Sequence, residues 1–387
     1  MKPDLAAQVR ASLLAHVPRN SKLVVGFSGG IDSMVLLHVL ARGLRMPRGR
    51  ISAIHVNHQI NKRAADWAAF CRRRCREFGI RLKVVKVVVK RGNSTEAAAR
   101  TARYRAFAGS GAGIVMLAHN RDDQAETVLL QLLRGAGPRG LAAMPQFRSA
   151  VRDMPAVLRP LLDVPRSMIA AYAEKHRLQW IEDDSNQDRA YLRNFLRHEV
   201  LPLLETRLPG SSATLARAAR LQAETSDLLD ALALADLGGA SMPGRLPLTL
   251  LQSLPPHRGR NVLRYFLRDQ GLLMPDADHL GELLRQAMTA RDDARVCIRT
   301  GDAELRRFRG ALYVVRPLPA PGPDYALDWH GRGPLRLDAL GGELRLERRA
   351  GAGLDGGLLR GARLQVRARK GGETLRLTAG GRRRTLR

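Results

Sequence analysis

Four short apolar runs, Leu23–Phe27, Ile51–Val56, Leu82–Val89 and Ile114–Ala118, alternate with stretches of helical periodicity at Ser33–Leu44, Ala64–Phe78, Ser94–Ala108 and Asp122–Arg134. Runs this short and this apolar read as buried strands. Strands separated by helices pair in parallel, because the crossover helix returns the chain to the same end of the sheet. The first part of the chain therefore predicts an α/β fold, a Rossmann-like doubly wound parallel sheet, with a weaker fifth strand near Gln179–Ile181. Such sheets bind ligands beyond the carboxyl ends of their strands. The residues that leave each strand are thus the ones that carry chemistry.

A helical run, Arg189–Leu204, closes this region before the Pro209-Gly210 break. From Ser211 to about Val315 the pattern is mostly helical, with a short strand pair near Ala294–Ile298 and Ala311–Val315. Pro317–Pro323 reads as an extended linker, since proline-rich runs hold an extended conformation. Beyond it, 326–387 offers alternating segments (Leu335–Leu337, Leu344–Leu346, Leu364–Val366) among many glycines, the pattern of a small β domain. The expected division is 1–210, 211–316 and 326–387.

Charge narrows the partners. The 387 residues hold 65 Lys or Arg against 36 Asp or Glu, a formal net charge of +29. Codon bias can exchange Lys for Arg, but it does not create such an excess, and a field of this size favours nucleic acid. Aromatic content of 4% argues against single-strand binding on extended stacking platforms. Three cysteines, Cys71, Cys75 and Cys297, are too few for a disulfide scaffold and fit a reducing cytoplasm. No run approaches the roughly 18 apolar residues of a membrane span, and Met1–Ser21 lacks the apolar segment of a signal peptide.

The most informative stretch is Lys22–Ser33, in which an apolar run enters Ser28-Gly29-Gly30-Ile31-Asp32-Ser33 and a helix begins at once. Glycines at 29 and 30 let the backbone take positive φ and turn its amides inward as an anion nest. The helix start adds partial positive charge. Ser28 and Ser33 can donate to phosphate oxygens, and Asp32 can help hold Mg²⁺. The loop is neither a Walker A sequence nor a GxGxxG fingerprint.

After the second run, His55-Val56-Asn57-His58 reads as a polar cluster lining the nucleotide pocket, with structural hydrogen bonding as the alternative and no third ligand to complete a metal site. Cys71 and Cys75, one helical turn apart, read as packing. On the next helix Glu96 and Arg100 can pair, while Arg100, Arg103 and Tyr104 share a face that is either solvated or turned to substrate phosphates. The fourth run ends in His119-Asn120-Arg121-Asp122-Asp123-Gln124-Ala125-Glu126. Asn120 with Asp123 can simply cap the helix, yet three carboxylates at a strand's carboxyl end can also grip a cation. Asp123 and Glu126, three apart, project on one face and suit an ammonium group. Arg134 and Arg139 lie in a Gly-rich loop suited to phosphate or RNA. The dense polar run Trp180–Asp188, followed by Arg193 and Asn194, reads as a site rim.

Together and in this order, SGGIDS (28–33), HVNH (55–58), ARTARY (99–104), AHNRDDQAET (118–127), LRGAGPRGL (133–141), RPLL (159–162) and WIEDDSNQD with the later RN (180–194) resemble the tRNA(Ile)-lysidine synthetase family of PP-loop, N-type ATP pyrophosphatases. The resemblance implies a ligase. ATP activates the wobble cytidine of tRNA(Ile) with a CAU anticodon, and the ε-amine of free L-lysine then displaces AMP. It also implies catalytic roles for Asp32, Asp123 and Glu126, ATP contacts from Ser28, Gly29, Gly30, Ile31, Asp32, Ser33, His55, Asn57, His58 and His119, and Mg²⁺ at Asp32. Lysine or tRNA contacts fall to Arg100, Arg103, Asp122, Asp123, Glu126, Arg134, Arg139, Asp184, Asn186, Arg193 and Asn194. The three divisions become a catalytic domain and two tRNA-binding domains. The last resembles the family's C-terminal domain and stops at Arg387, where that domain usually continues, so an incomplete domain is expected. A homodimer is left open. The competing readings are a thiolase-type relative, for which Cys71 and Cys75 are poorly placed, an amidating synthetase, for which no glutaminase-like domain is visible, and a non-catalytic RNA-binding relative.

Overall fold

The computed structural model describes residues 4–47, 49–59, 61–88, 95–151, 154–239, 244–272, 274–289, 297–300, 303–317, 321–322, 324–331, 333–347, 349–350, 356–359, 363–368, 373–375, 381 and 384–385. Two compact units divide the chain, Met1–Leu229 and Asp230–Arg387, with the boundary inside the long helix Ser211–Asp236.

The first unit is built on six strands: β1 (Leu23–Gly26), β2 (Ile51–Asn57), β3 (Arg81–Lys86), β4 (Ile114–Met116), β5 (Phe147–Arg148) and β6 (Ala156–Leu158). Their order is β3-β2-β1-β4-β6-β5, all parallel except β5. The helices are α1 (Leu5–His16), α2 (Ile31–His38), α3 (Ala64–Phe78), α4 (Thr95–Ala108) and α5 (Arg121–Leu133), followed by Arg166–Lys175. Alternation along β1 explains the layers. Leu23 and Val25 pack on one face with Met34, Val35 and Leu37 of α2 and with Ile169, whereas Val24 faces Phe107 of α4, Val115 and Val157. Both faces are covered, which is why these strands carry no polar alternation.

The direction of strand addition reverses between β1 and β4, which lie side by side with Val25 opposite Met116. That reversal opens a crevice at their carboxyl ends. The loop Phe27–Gly30 leaves β1 there, and Leu117–Asn120 leaves β4.

Three expectations change. Gln179–Ile181 is not a strand. Its Ile181 amide donates to the Gly29 carbonyl at 2.9 Å, so the segment closes over the phosphate loop. The sheet is completed instead by β5 and β6, whose two and three residues are too few to show a period. The run Arg189–Leu204 is helical from Leu192 to Arg207, with a π-turn at Leu196–Val200.

In the second unit, β7 (Arg245–Pro247), β8 (Cys297–Thr300), β9 (Ala303–Phe308) and β10 (Ala311–Val315) form a sheet in the order β7-β10-β9-β8. The two expected strands are not paired with each other, because β9 lies between them. Its charged residues Glu304, Arg306 and Arg307 mask its apolar face, Ala303 and Leu305. Helices Leu248–Ser253, Pro256–Asp269 and Ala277–Thr289 pack on it through Leu251, Val262, Phe266 and Leu283. Short antiparallel ladders follow: Ala326–Trp329 with Leu364–Arg367, Leu335–Leu337 with Gly342–Leu344, and Thr374–Leu375 with Arg384–Thr385. Leu344 thus ends a strand rather than starting one. Residues 294–296, parts of the 317–323 linker and Lys370 lie outside the described residues.

Candidate active site

At the exit of β1 the chain turns within one residue. Gly29 has φ +91, a conformation that side chains other than hydrogen rarely adopt. Gly30 has φ −72 and serves as the N-cap of α2, so only one of the two glycines needs positive φ. The turn is laced by hydroxyls. Ser33 Oγ accepts from the Gly29 amide at 3.2 Å and donates to the Gly30 carbonyl at 3.0 Å, while Ser28 Oγ lies 3.1 Å from Ser33 Oγ and accepts from the Gly30 amide at 3.3 Å. No side chain caps α2, leaving its first amides to an anion.

At the exit of β4, Asn120 is nearly fully buried and ties two loops together. Its Oδ1 accepts from the amides of Asp122 (2.9 Å) and Asp123 (3.0 Å), and Asp123 Oδ2 accepts in return from the Asn120 amide at 3.0 Å. This is a complete capping box. Asn120 Nδ2 has a different partner: it donates to Asp32 Oδ1 at 2.9 Å. Burial raises the pKa of Asp32 and the nearby charge of Asp123 raises it further, while Asn120, Arg166 and Arg197 offset part of the shift. A carboxylate in that position favours a cation.

The pair expected to grip an ammonium is held by two guanidiniums. Arg193 Nε donates to Glu126 Oε2 at 2.8 Å and its terminal nitrogen to Asp123 Oδ1 at 3.3 Å. Arg197 Nε donates to Glu126 Oε1 at 2.5 Å, and its terminal nitrogen reaches Asp123 Oδ1 and Glu126 Oε2, each at 2.9 Å. Glu126 is 1% exposed, so its charge needs such partners. Burial opposes the Arg197 charge, but the hydrogen bonds and charges of Glu126 and Asp123 outweigh it and hold its pKa above the ordinary value.

The histidines around these loops are neutral. His55 Nδ1 lies 2.9 Å from the Phe27 carbonyl. A carbonyl only accepts, so Nδ1 carries the proton and Nε2 is free to accept. Burial lowers the pKa of His58 to about 4, with Arg103 adding to it, and that of His119 to about 3. Among the described residues both ring nitrogens of His58 and Nδ1 of His119 lack a hydrogen-bond partner.

Other expected residues are engaged elsewhere. Asn57 uses its amide to fix its own loop, donating to the Ala64 carbonyl at 3.2 Å and accepting from the Gln59 amide at 2.9 Å. Asp122 accepts from the Arg166 amide at 2.8 Å, Asn194 donates to the Asp188 carbonyl at 2.8 Å, and Arg139 lies 3.4 Å from Ser226 Oγ. Arg134 is exposed, as is Asp184, which lies 4.0 Å from Arg63. The side chains of Glu96 and Asn186 lie outside the described residues.

The sequence pattern of the PP-loop domain matches residues 2–204, and that of the TilS substrate binding domain matches residues 246–313. A tRNA(Ile)-lysidine synthase of Nitrosomonas europaea is 40% identical over 365 residues, covering 94% of this chain and 80% of that protein. The chain belongs to the tRNA(Ile)-lysidine synthase family. A family member from Chromobacterium violaceum is 41% identical, covering 95% of this chain and 86% of that one. For one from Coxiella burnetii the figures are 38%, 92% and 79%. The fold is accordingly that of a PP-loop domain, a domain type that uses ATP.

Within this family member, reading the sequence missed Arg197 and Ile181 and gave Asn120 only half of its role. The signal for Arg197 was present: Arg193 and Arg197 are four apart on a helical run, the spacing that meets an acidic i, i+3 pair on a facing helix. Nothing in the sequence alone says which helix faces which.

Proposed function

We propose that the chain joins free L-lysine to C2 of the wobble cytidine of tRNA(Ile) with a CAU anticodon, cleaving ATP to AMP and pyrophosphate by way of an adenylated cytidine. The observation that carries this reading is the Asn120–Asp32 hydrogen bond, which joins the phosphate turn after β1 to the carboxylate pair after β4. A nucleotide held by the turn and an amine held by the pair would meet at one place.

Ser28, Ser33 and the uncapped start of α2 take the triphosphate and stabilise the charge that develops on pyrophosphate, while the Gly29 and Gly30 amides hold the two hydroxyls in place. Ile31 and Asp32 enter the same turn, and the neutral rings of His55, His58 and His119 offer acceptors or donors to the nucleotide without adding charge. Among the described residues no group of three or more His, Cys, Asp or Glu is arranged to hold a metal. Mg²⁺ fits nonetheless, since it commonly takes one or two carboxylates and completes its shell with phosphates and water. Asp32, already poised for a cation, would hold it, and it would neutralise phosphate charge.

Asp123 and Glu126 receive the lysine ammonium, whose unperturbed pKa near 10.4 makes it a poor nucleophile until it loses a proton. The ammonium takes the place of Arg193, whose contact with Asp123 is the longer of the two, while Arg197 stays paired with Glu126. Arg100, Arg103, Arg134, Arg139, Asp184, Asn186 and Asn194 contribute to holding tRNA and lysine. Residues 1–210 act as the catalytic domain, with 211–316 and the basic 326–387 gripping the tRNA body. No helix among the described residues is long and apolar enough to cross a membrane, and the cytoplasm is the proposed site of action.

A thiolase reading gains nothing from the structure. Burial pushes the thiols of Cys71 and Cys75 up to about 12, too high for reactive thiolates. The test is incubation with ATP, labelled lysine and total tRNA, followed by mapping of the labelled nucleotide. Label at the wobble cytidine of tRNA(Ile) is expected, and label elsewhere or none contradicts the reading.

A further inference from the structure

At the exit of β6 lies a cavity of about 510 Å³ lined by Arg100, Arg105, Arg148, Arg159 and Tyr104, with no acidic residue among the described residues of its wall. The arginines are organised around the ring of Tyr104. Arg100 and Arg148 lie over it at 5.3 and 5.4 Å from its centroid, and a terminal nitrogen of Arg159 lies 3.5 Å from its hydroxyl. Arg159 is 3% exposed. One of its terminal nitrogens donates to the Pro145 carbonyl at 2.7 Å, yet among the described residues its Nε and that of Arg148 have no partner. Among the described residues none of these four guanidiniums has a carboxylate partner.

Clustering like charges without counterions is costly. Burial lowers the pKa of Arg159, and the charges of Arg100 and Arg148 add to it against the opposing effect of Tyr104. Ala143, also in the wall, sits at φ +53, a left-handed conformation unusual for alanine. Unpaired donors, repelling charges and backbone strain in one wall are what an absent polyanion would relieve.

We propose that this cavity binds the phosphodiester backbone of the RNA substrate beside the nucleotide that reacts. The inference rests on the function proposed above. The triphosphate has its own turn at residues 28–33, which contributes nothing to this wall. Lysine carries a single carboxylate, whereas four guanidiniums suit successive phosphates, and arginine's planar fork matches their oxygens. The volume lies within the roughly 300–1,000 Å³ of sites that enclose whole small molecules. Met144 in its wall accepts from Gln124 Nε2 at 2.9 Å and donates to Gln124 Oε1 at 3.1 Å, which sets the cavity against the start of α5, one residue from Asp123.

The experiment measures tRNA binding by Arg148→Ala and Arg148→Glu across a salt series, alongside the KM for ATP and for lysine. Arg148→Ala is expected to weaken tRNA binding about tenfold, to reduce the slope of log affinity against log salt by about 0.7, and to leave both KM values unchanged. Arg148→Glu is expected to do more. Arg105→Ala, on the exposed rim, gives the same readout if thermal unfolding shows the Arg148 variants to be misfolded. Unchanged affinity and slope would overturn the proposal, as would a raised lysine KM with tRNA binding intact, which assigns the cavity to lysine's carboxylate. If the wild-type chain attaches no lysine to tRNA, the function fails, while the salt slope still reports whether the cavity holds RNA.

Discussion

Gly29 and Gly30 stand side by side in the phosphate turn under different constraints. A Cβ at Gly29 would lie 2.5 Å from Ile181 Cδ1 and 3.1 Å from Cys71 Sγ, at a φ of +91, whereas at Gly30 the nearest atom is 3.6 Å away. Gly29→Ala should therefore cost about 1–3 kcal/mol of stability, and Gly30→Ala less than about 1 kcal/mol, as read from urea unfolding midpoints. The acid pair behaves as one unit. Arg197→Ala leaves buried Glu126 with Arg193 alone and should destabilise by about 3 kcal/mol, the low end for a broken buried pair. The combined change Asp123→Asn and Glu126→Gln should raise the lysine KM by about 10- to 100-fold, the worth of one charge-assisted contact, with the ATP KM little changed. His119 adds a pH dependence. Its folded pKa of about 3 lies below the unfolded value, so the unfolded chain binds a proton that the folded one refuses. Stability should fall as pH drops from about 7 towards 4, and His119→Gln should flatten a plot of Tm against pH over that range.

At the scale of elements, the capping box that starts α5 also positions the site. Asn120→Ala should lose about 1 kcal/mol from the cap and release Asp32, lowering turnover more than stability. Asn120→Asp should restore the cap but place a third carboxylate beside Asp32 and Asp123. Both elements were readable in the sequence because β1 and β4 lie within the unbroken apolar runs Leu23–Phe27 and Ile114–Ala118 and their exits are densely polar. β2 was equally visible, since burial on both faces leaves Ile51, Ala53, Ile54 and Val56 as an apolar run. What was not readable has a common cause, which is partnership across long sequence separation. Residues 156–158 become a strand only because β4 offers them a ladder, and Ile181 forgoes one because it bonds to Gly29. Arg193 and Arg197 look like an exposed helix face until Asp123 and Glu126 are set opposite. Even β9, in a stretch read as mostly helical, becomes a strand through its pairing with β8 and β10.

For the whole molecule, the excess of 29 positive charges makes affinity for tRNA a matter of counterion release. Binding should fall by at least about 10³-fold between roughly 50 and 200 mM salt, as for proteins making six to ten phosphate contacts. The two-step chemistry makes a sharper demand, because the phosphate turn and the acid pair must act in sequence on one base. With tRNA(Ile) present and lysine withheld, label from the α-phosphate of ATP should accumulate on the tRNA and leave as AMP once lysine is added. Pyrophosphate release without tRNA, or tRNA that never carries the α-label, would contradict the account.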